Sequence, residues 1–144
     1  MNNKGKGALG EYQAVEFLKN KGYKILSTNA FFCGCELDIV AIKTIKAQKK
    51  QIKEEYKKAE IKSKIALKCR LSALEDVLVF VEVKYSSTKV FGEPYERVNE
   101  AKQKHLIRAS EGYMYKNRLQ MPVSFDVISV IGKEINHIEN AFYA

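Results

Sequence analysis

Residues 77–84 read VLVFVEVK, and the fold turns on how this stretch is understood. Five consecutive apolar residues, Val77 to Val81, predict a strand buried on both faces. The run then breaks at Glu82 and Lys84, with only Val83 between them. Residues two apart on a strand share a face, so a carboxylate and an ammonium end the most hydrophobic strand of the chain side by side. Charges in such a place are costly unless they are paired or hold a ligand.

The stretch ELDIVAIK, residues 36–43, reads as a second strand. Alternation puts Glu36, Asp38, Val40 and Ile42 on one face and Leu37, Ile39 and Ala41 on the other. Antiparallel pairing of the two strands would set the start of one beside the end of the other, bringing Asp38 near Glu82 and Lys84. Two neighbouring carboxylates repel unless a cation lies between them. Mg²⁺ suits this pair, because it takes one or two carboxylates and keeps several waters. The backbone carbonyl of Val83 offers a further ligand. A lysine beside the ion can orient an attacking water or neutralise charge on a phosphate. This is the chemistry of phosphodiester hydrolysis.

The flanking chain predicts the layers around these strands. Apolar residues at Leu9, Tyr12, Ala14, Val15, Phe17 and Leu18 mark a helix from Ala8 to Lys21, stopped by Gly22. YKILSTNAFF (residues 23–32) reads as a strand, followed by a turn at Cys33-Gly34. Residues 43–76 differ in kind: they carry 11 Lys/Arg against 5 Asp/Glu and read as a lysine-rich insertion, helical in its first part. Its tail KIALKCRL (64–71) alternates polar and apolar and is compatible with a strand. STKVFGEP (87–94) reads as a loop, and Tyr95–Lys116 as a long helix with Val98, Ala101, His105, Ala109, Gly112 and Tyr113 along one side. VSFDVISVI (123–131) is a fourth strand, and INHIENAF (135–142) a short fifth strand or an irregular tail. The order of core elements, αβββαβ, predicts an α/β/α sandwich around a mixed sheet. At 144 residues and 46% hydrophobic, residues 1–144 are expected to form a single domain.

Composition narrows the setting. No run of 18 apolar residues is present, so no transmembrane helix is expected, and the first residues lack the pattern of a secretion signal. Three cysteines, an odd number, argue against a disulfide framework and fit a cytoplasmic protein. Cys33 and Cys35 form C-x-C without the second pair or histidines of a zinc site. His105 and His137 show no partner in the sequence, and Asp126 reads as a fold residue. The net charge of +8 favours an anionic partner such as nucleic acid.

These pieces carry a resemblance. A strand Asp followed on the next strand by E-x-K resembles the active-site signature of the restriction-endonuclease-like, or PD-(D/E)XK, nuclease superfamily. More closely, the chain resembles the YraN family of small bacterial proteins. The match runs through GALGEYQAVEFLKNKGYKILSTN, CELDIVAIK, VFVEVK, the V…K of ERVNEAKQKHLIRA, and FDVISV, and covers nearly all of the chain outside residues 43–76. At greater distance it is similar to archaeal Holliday-junction resolvases.

The resemblance implies a restriction-endonuclease-like fold and a Mg²⁺-dependent endonuclease, with Mn²⁺ as a substitute ion and DNA, branched or damaged structures included, as partner. It makes Asp38 and Glu82 metal ligands and Lys84 catalytic, and adds Glu11 as a supporting acid on the first helix. Glu36 matches the family's G-E-x-D motif, and Lys102 its helix lysine, a candidate nucleic-acid contact. Read alone, Glu11 is a first-turn acid at a helix N-terminus, Glu36 an exposed strand residue and Lys102 a solvated helix lysine. Relatives in the superfamily often pair to cut two strands, so the resemblance is compatible with a homodimer. Cys35 stands where the family usually has Gly, Ser124 where Arg is common, and the insertion where a tight hairpin is normal. A second reading is a non-catalytic nucleic-acid-binding module on the same fold, and a third is an adaptor working through residues 43–76.

Overall fold

The computed structural model describes residues 2–87 and 98–144. In chain order the elements are α1 (Asn3–Asn20), β1 (Lys24–Phe32), β2 (Cys35–Lys43), α2 (Ile45–Lys58), α3 (Ile61–Ser72), β3 (Val77–Ser86), α4 (Glu100–Asn117), β4 (Val123–Ile131) and β5 (Glu134–Phe142). The five strands form one sheet in the order β1-β2-β3-β4-β5. Only β3 and β4 run parallel, and the other neighbours are antiparallel. A parallel neighbour needs a crossover, and α4 lies on it. The expected core order αβββαβ is present, with α2 and α3 between β2 and β3 and β5 added at the end.

Each face of the sheet carries its own core. On one face, Ala14 and Leu18 of α1 join Ile39, Ala41, Val79, Val81, Ile128 and Val130. On the other, Leu106, Ala109 and Tyr113 of α4 join Val40, Leu78, Phe80, Phe125 and Val127. Each fully buried Leu, Ile, Val or Phe contributes roughly 1.5–3 kcal/mol. That apolar clamp holds the end of β3 rigid where its charges begin.

Helix α1 starts earlier than the periodicity predicts, because the Asn2 side chain accepts from Gly5 N at 2.9 Å and caps it. It ends as predicted at Gly22, whose φ is 88°. Its buried stripe is Gly10, Ala14 and Leu18, while Leu9 and Tyr12 are exposed. Small residues bring the helix close to β3, and a Cβ at Gly10 would lie 2.9 Å from the Cβ of Tyr85. Gly10→Ala is therefore expected to destabilise by about 1–2 kcal/mol, overpacking outweighing the gain of about 1 kcal/mol in helix propensity. A denaturant titration checks this; a stabilised variant would mean that α1 shifts freely on the sheet.

Two expectations are corrected. The tail 64–71 belongs to helix α3 and not to a strand. Both β2 and β3 already have two neighbours in the sheet, so no edge is available there, and Lys, Ala, Leu and Arg favour helix. The side of α4 that faces the sheet is shifted from the predicted one: Leu106, Ala109, Ser110 and Tyr113 are buried, whereas Ala101 and His105 are exposed. That side is headed by Lys102, which an apolar pattern passes over. Asn99 caps α4 by accepting from Lys102 N at 2.9 Å. The loop expected over 87–94 and the helix start expected at Tyr95 fall almost wholly outside the described residues. INHIENAF resolves as part of a nine-residue strand.

Candidate functional site

The ladder between β2 and β3 runs from Lys43↔Val77 to Ile39↔Val81 and goes no further. Beyond Val81, β3 continues beside β4 alone, through Glu82↔Val127 and Lys84↔Ser129 to Ser86↔Ile131. The two strands part at the point where the apolar run gives way to charge. In the opening, Val83 N–H donates to Asp38 Oδ2 at 2.7 Å, so a carboxylate takes over from the missing ladder partner. Simple alternation does not survive here: Leu37 and Val40 share the α4-side core while Ile39 lies in the α1-side core. The expectation that Leu37, Ile39 and Ala41 share one face by period-2 spacing is corrected accordingly. On β1, Asn29 has φ of 52°, and the register passes from Thr28↔Ile39 to Ala30↔Leu37 without pairing it.

Glu82 is 4% exposed. Its Oε1 accepts from Lys84 Nζ at 2.7 Å and lies 3.3 Å from Lys102 Nζ. Its Oε2 is buried and takes no hydrogen bond among the described residues. Burial, followed by the charge of Glu82, pushes the Asp38 carboxyl up to about 7; the Val83 amide opposes this, Glu11 adds to it and Lys102 opposes it. Burial pulls the Lys102 ammonium downward, but Glu82 and its neighbours outweigh that and leave it raised. Two carboxylates and two ammoniums thus share one partly dry pocket, and one carboxylate oxygen is left over.

Glu11 sits in the third turn of α1, since the helix begins at Asn3, so its reading as a first-turn acid is corrected. Asn29 Nδ2 donates to Glu11 Oε2 at 2.8 Å. The left-handed backbone that Asn tolerates goes with that contact. The sequence reading missed Asn29; its only trace is a turn-favouring residue inside a strand. Lys102 is half-buried against Glu82 rather than solvated. Glu36 is exposed at the rim. Cys33 is an exposed free thiol and Cys35 a buried one, whose pKa is raised chiefly by burial against the pull of Lys102.

A second polar cluster lies away from this site. Asp126 Oδ2 and His137 Nε2 share a hydrogen bond of 2.7 Å, with both side chains buried. Asp126 Oδ1 accepts from Ser124 Oγ and, at 3.1 Å, from Asn140 N. Lys21 Nζ lies 2.9 Å from His137 Nδ1. His137 therefore has partners on α1 and β4 that sequence spacing does not reveal. Asp126 acts as the fold residue it was read to be, stitching β4 to β5, and Ser124 serves it where the resembled family commonly has Arg.

Among the described residues no three His, Cys, Asp or Glu side chains converge as a metal cage. Mg²⁺ does not need one, since it is satisfied by one or two carboxylates and water. Asp38 and Glu82 fit such an ion on two observations: the buried, unpartnered Oε2 of Glu82, and an Asp38 carboxyl raised by burial first and by the charge of Glu82 second. Among the described residues, no helix is long and apolar enough to cross a membrane.

The chain is 40% identical over 147 aligned positions to a UPF0102 protein of Alkaliphilus oremlandii, covering 97% of this chain and 99% of that one. It is 38% identical to a UPF0102 protein of Clostridioides difficile, covering 99% and 100%, and 35% identical to one of Flavobacterium psychrophilum, covering 95% and 92%. The family profile matches residues 10–130, a span that holds Glu11, Asp38, Glu82, Lys84 and Lys102. The chain belongs to the uncharacterised protein family UPF0102.

Proposed function

We propose that this protein is a metal-dependent nuclease that hydrolyses DNA phosphodiester bonds at the opening between β2 and β3. The observation that carries the reading is Glu82: a buried carboxylate beside Asp38, with one oxygen on Lys84 and the other without a partner. Structural ion pairs are normally closed; here an acceptor is left over next to a second acid.

Asp38, Glu82 and the Val83 carbonyl would hold Mg²⁺ or Mn²⁺, which when bound supplies a water of lowered pKa and positive charge toward the phosphate. The protein's own groups do the rest. Asp38 gives up its proton as it takes a ligand role, so binding tightens as pH rises through about 7. The Lys84 side chain, 23% exposed, holds its ammonium on Glu82 and would meet a phosphate oxygen as charge builds there. Lys102 keeps a second positive charge on Glu82. Glu11, steadied by Asn29, is a supporting acid for a water or the ion. Glu36 is at the edge where substrate enters.

The test is cleavage of a panel of single-stranded, duplex, flapped and four-way-junction DNA, each with Mg²⁺, Mn²⁺ or chelator. Cutting that needs the ion and favours one structure is expected. Binding of every substrate with no product under any condition would make the protein a nucleic-acid-binding module.

A further inference from the structure

The opening between β2 and β3 lies at one end of β2; at the other end the chain passes from Lys43 through Thr44 into α2. Lys46, Lys49, Lys50 and Lys53 then follow at i, i+3, i+4 and i+7, which places them along one side of the helix. All four are exposed. They line a groove of about 790 Å³ whose other wall is the end of α1 at Asn20, Lys21 and Gly22. Five of the ten residues lining the groove are lysines and none is acidic, so the groove carries one sign of charge.

The stripe is held in place. On another side of α2, Ile52 is buried, and Gln48 Nε2 donates to the carbonyls of Lys43 and Glu75. Ile45 N–H donates to Asp76 Oδ1 at 2.7 Å. The helix therefore cannot roll to disperse its lysines. The nearby acids are committed elsewhere: Glu54 pairs with Lys57 at 3.0 Å and Glu55 with Arg70 at 2.7 Å. Lys50 acts on Glu54 only after Lys57 and Lys58. Lysines three and four apart repel one another, and an anion laid along the groove relieves that repulsion.

We infer that the groove between α2 and the end of α1 is a second nucleic-acid contact, taking a phosphodiester backbone along Lys46, Lys49, Lys50 and Lys53 at a distance from the acidic site. Seven residues of helix span roughly 10 Å, about three phosphate steps at 3.4 Å per strand. A row of that length suits an extended polyanion better than one isolated anion. Binding here requires no hydrolysis and does not rest on the nuclease reading.

The experiment measures affinity for a short labelled duplex in chelator across a salt series. It compares the wild type with Lys46→Ala/Lys49→Ala/Lys50→Ala/Lys53→Ala. The quadruple variant is expected to bind on the order of 10–100-fold more weakly at low salt, and its slope of log affinity against log salt to be shallower by about 2–4. Lys49→Glu and Lys53→Glu, each alone, provide the same comparison by smaller steps if the quadruple variant folds poorly. An unchanged slope in the lysine variants, or no DNA binding by the wild type, overturns the inference. Binding without cutting would refute the nuclease proposal and leave this contact standing.

Discussion

Lys84→Ala is expected to reduce metal-dependent DNA cleavage by on the order of 10²–10³-fold while leaving the fold intact. The lost group is the ammonium 2.7 Å from Glu82 Oε1, the cation best placed to meet charge on a phosphate. Lys102, 3.3 Å from the same oxygen, stays and keeps Glu82 from becoming an unpaired buried charge. That residual pairing separates chemistry from stability, because removing every partner of a buried charge costs about 3–5 kcal/mol. Lys102→Ala should reduce cleavage less, on the order of 10-fold, since its contact with Glu82 is longer. Glu82→Ala removes the ligand itself and should abolish ion-dependent turnover. Rates come from single-turnover assays on the substrate the panel selects, with thermal unfolding run alongside. Full activity in Lys84→Ala would refute its catalytic role.

Asp38→Asn is expected to stabilise the protein as it removes function, and to do so in a pH-dependent way. The Asp38 carboxyl titrates at about 7 in the folded chain against an ordinary value of 3.8, pushed up by burial first and by Glu82 second. Between those values the unfolded chain has lost a proton that the folded chain still holds. Stability from this group therefore falls as pH rises through the window and is at its lowest above pH 7. A difference of about three pKa units corresponds to roughly 4 kcal/mol, part of which belongs to Glu82 through their repulsion. Asn keeps an acceptor for Val83 N–H without the charge. The variant should gain about 2–4 kcal/mol at pH 8, with the gap closing toward pH 4, read from denaturant midpoints at several pH values. Mg²⁺ should raise the wild-type midpoint and leave that of Asp38→Asn in place. A gap independent of pH would mean that Asp38 is not the strained acid.

These two outcomes rest on residues read from sequence with uneven success. The apolar run into Glu82 and Lys84 announces both the central strand and the cluster, because burial and charge conflict visibly within eight residues. Asp38 follows from antiparallel pairing, although the slip in alternation between Leu37 and Ile39 does not. Asn29 is legible only once the fold is known, and Lys102, named by the family resemblance, is passed over by the local pattern. One needs a left-handed residue to line up with α1, and the other needs the rotation of α4, which Leu106 and Tyr113 fix and local pattern misjudged by a residue. The Asp126–His137 pair joins strands whose register a bulge sets. Helix α3 was ambiguous because a short alternating run fits either state until the sheet's neighbours are known.

The helical segment between β2 and β3 has a consequence for folding cost. Its ends are already held together: the Lys43↔Val77 pair closes the sheet, and Ile45 N–H reaches Asp76 across the neck. Each doubling of a loop's length costs only about 0.6 kcal/mol of closure entropy, so a few-residue turn in place of α2 and α3 would recover about 2 kcal/mol. The segment is thermodynamically inexpensive to keep. It is also anchored at the opposite end of β2 from Asp38, so this part of the chain is free to change in length and charge while the acidic pocket stays as it is.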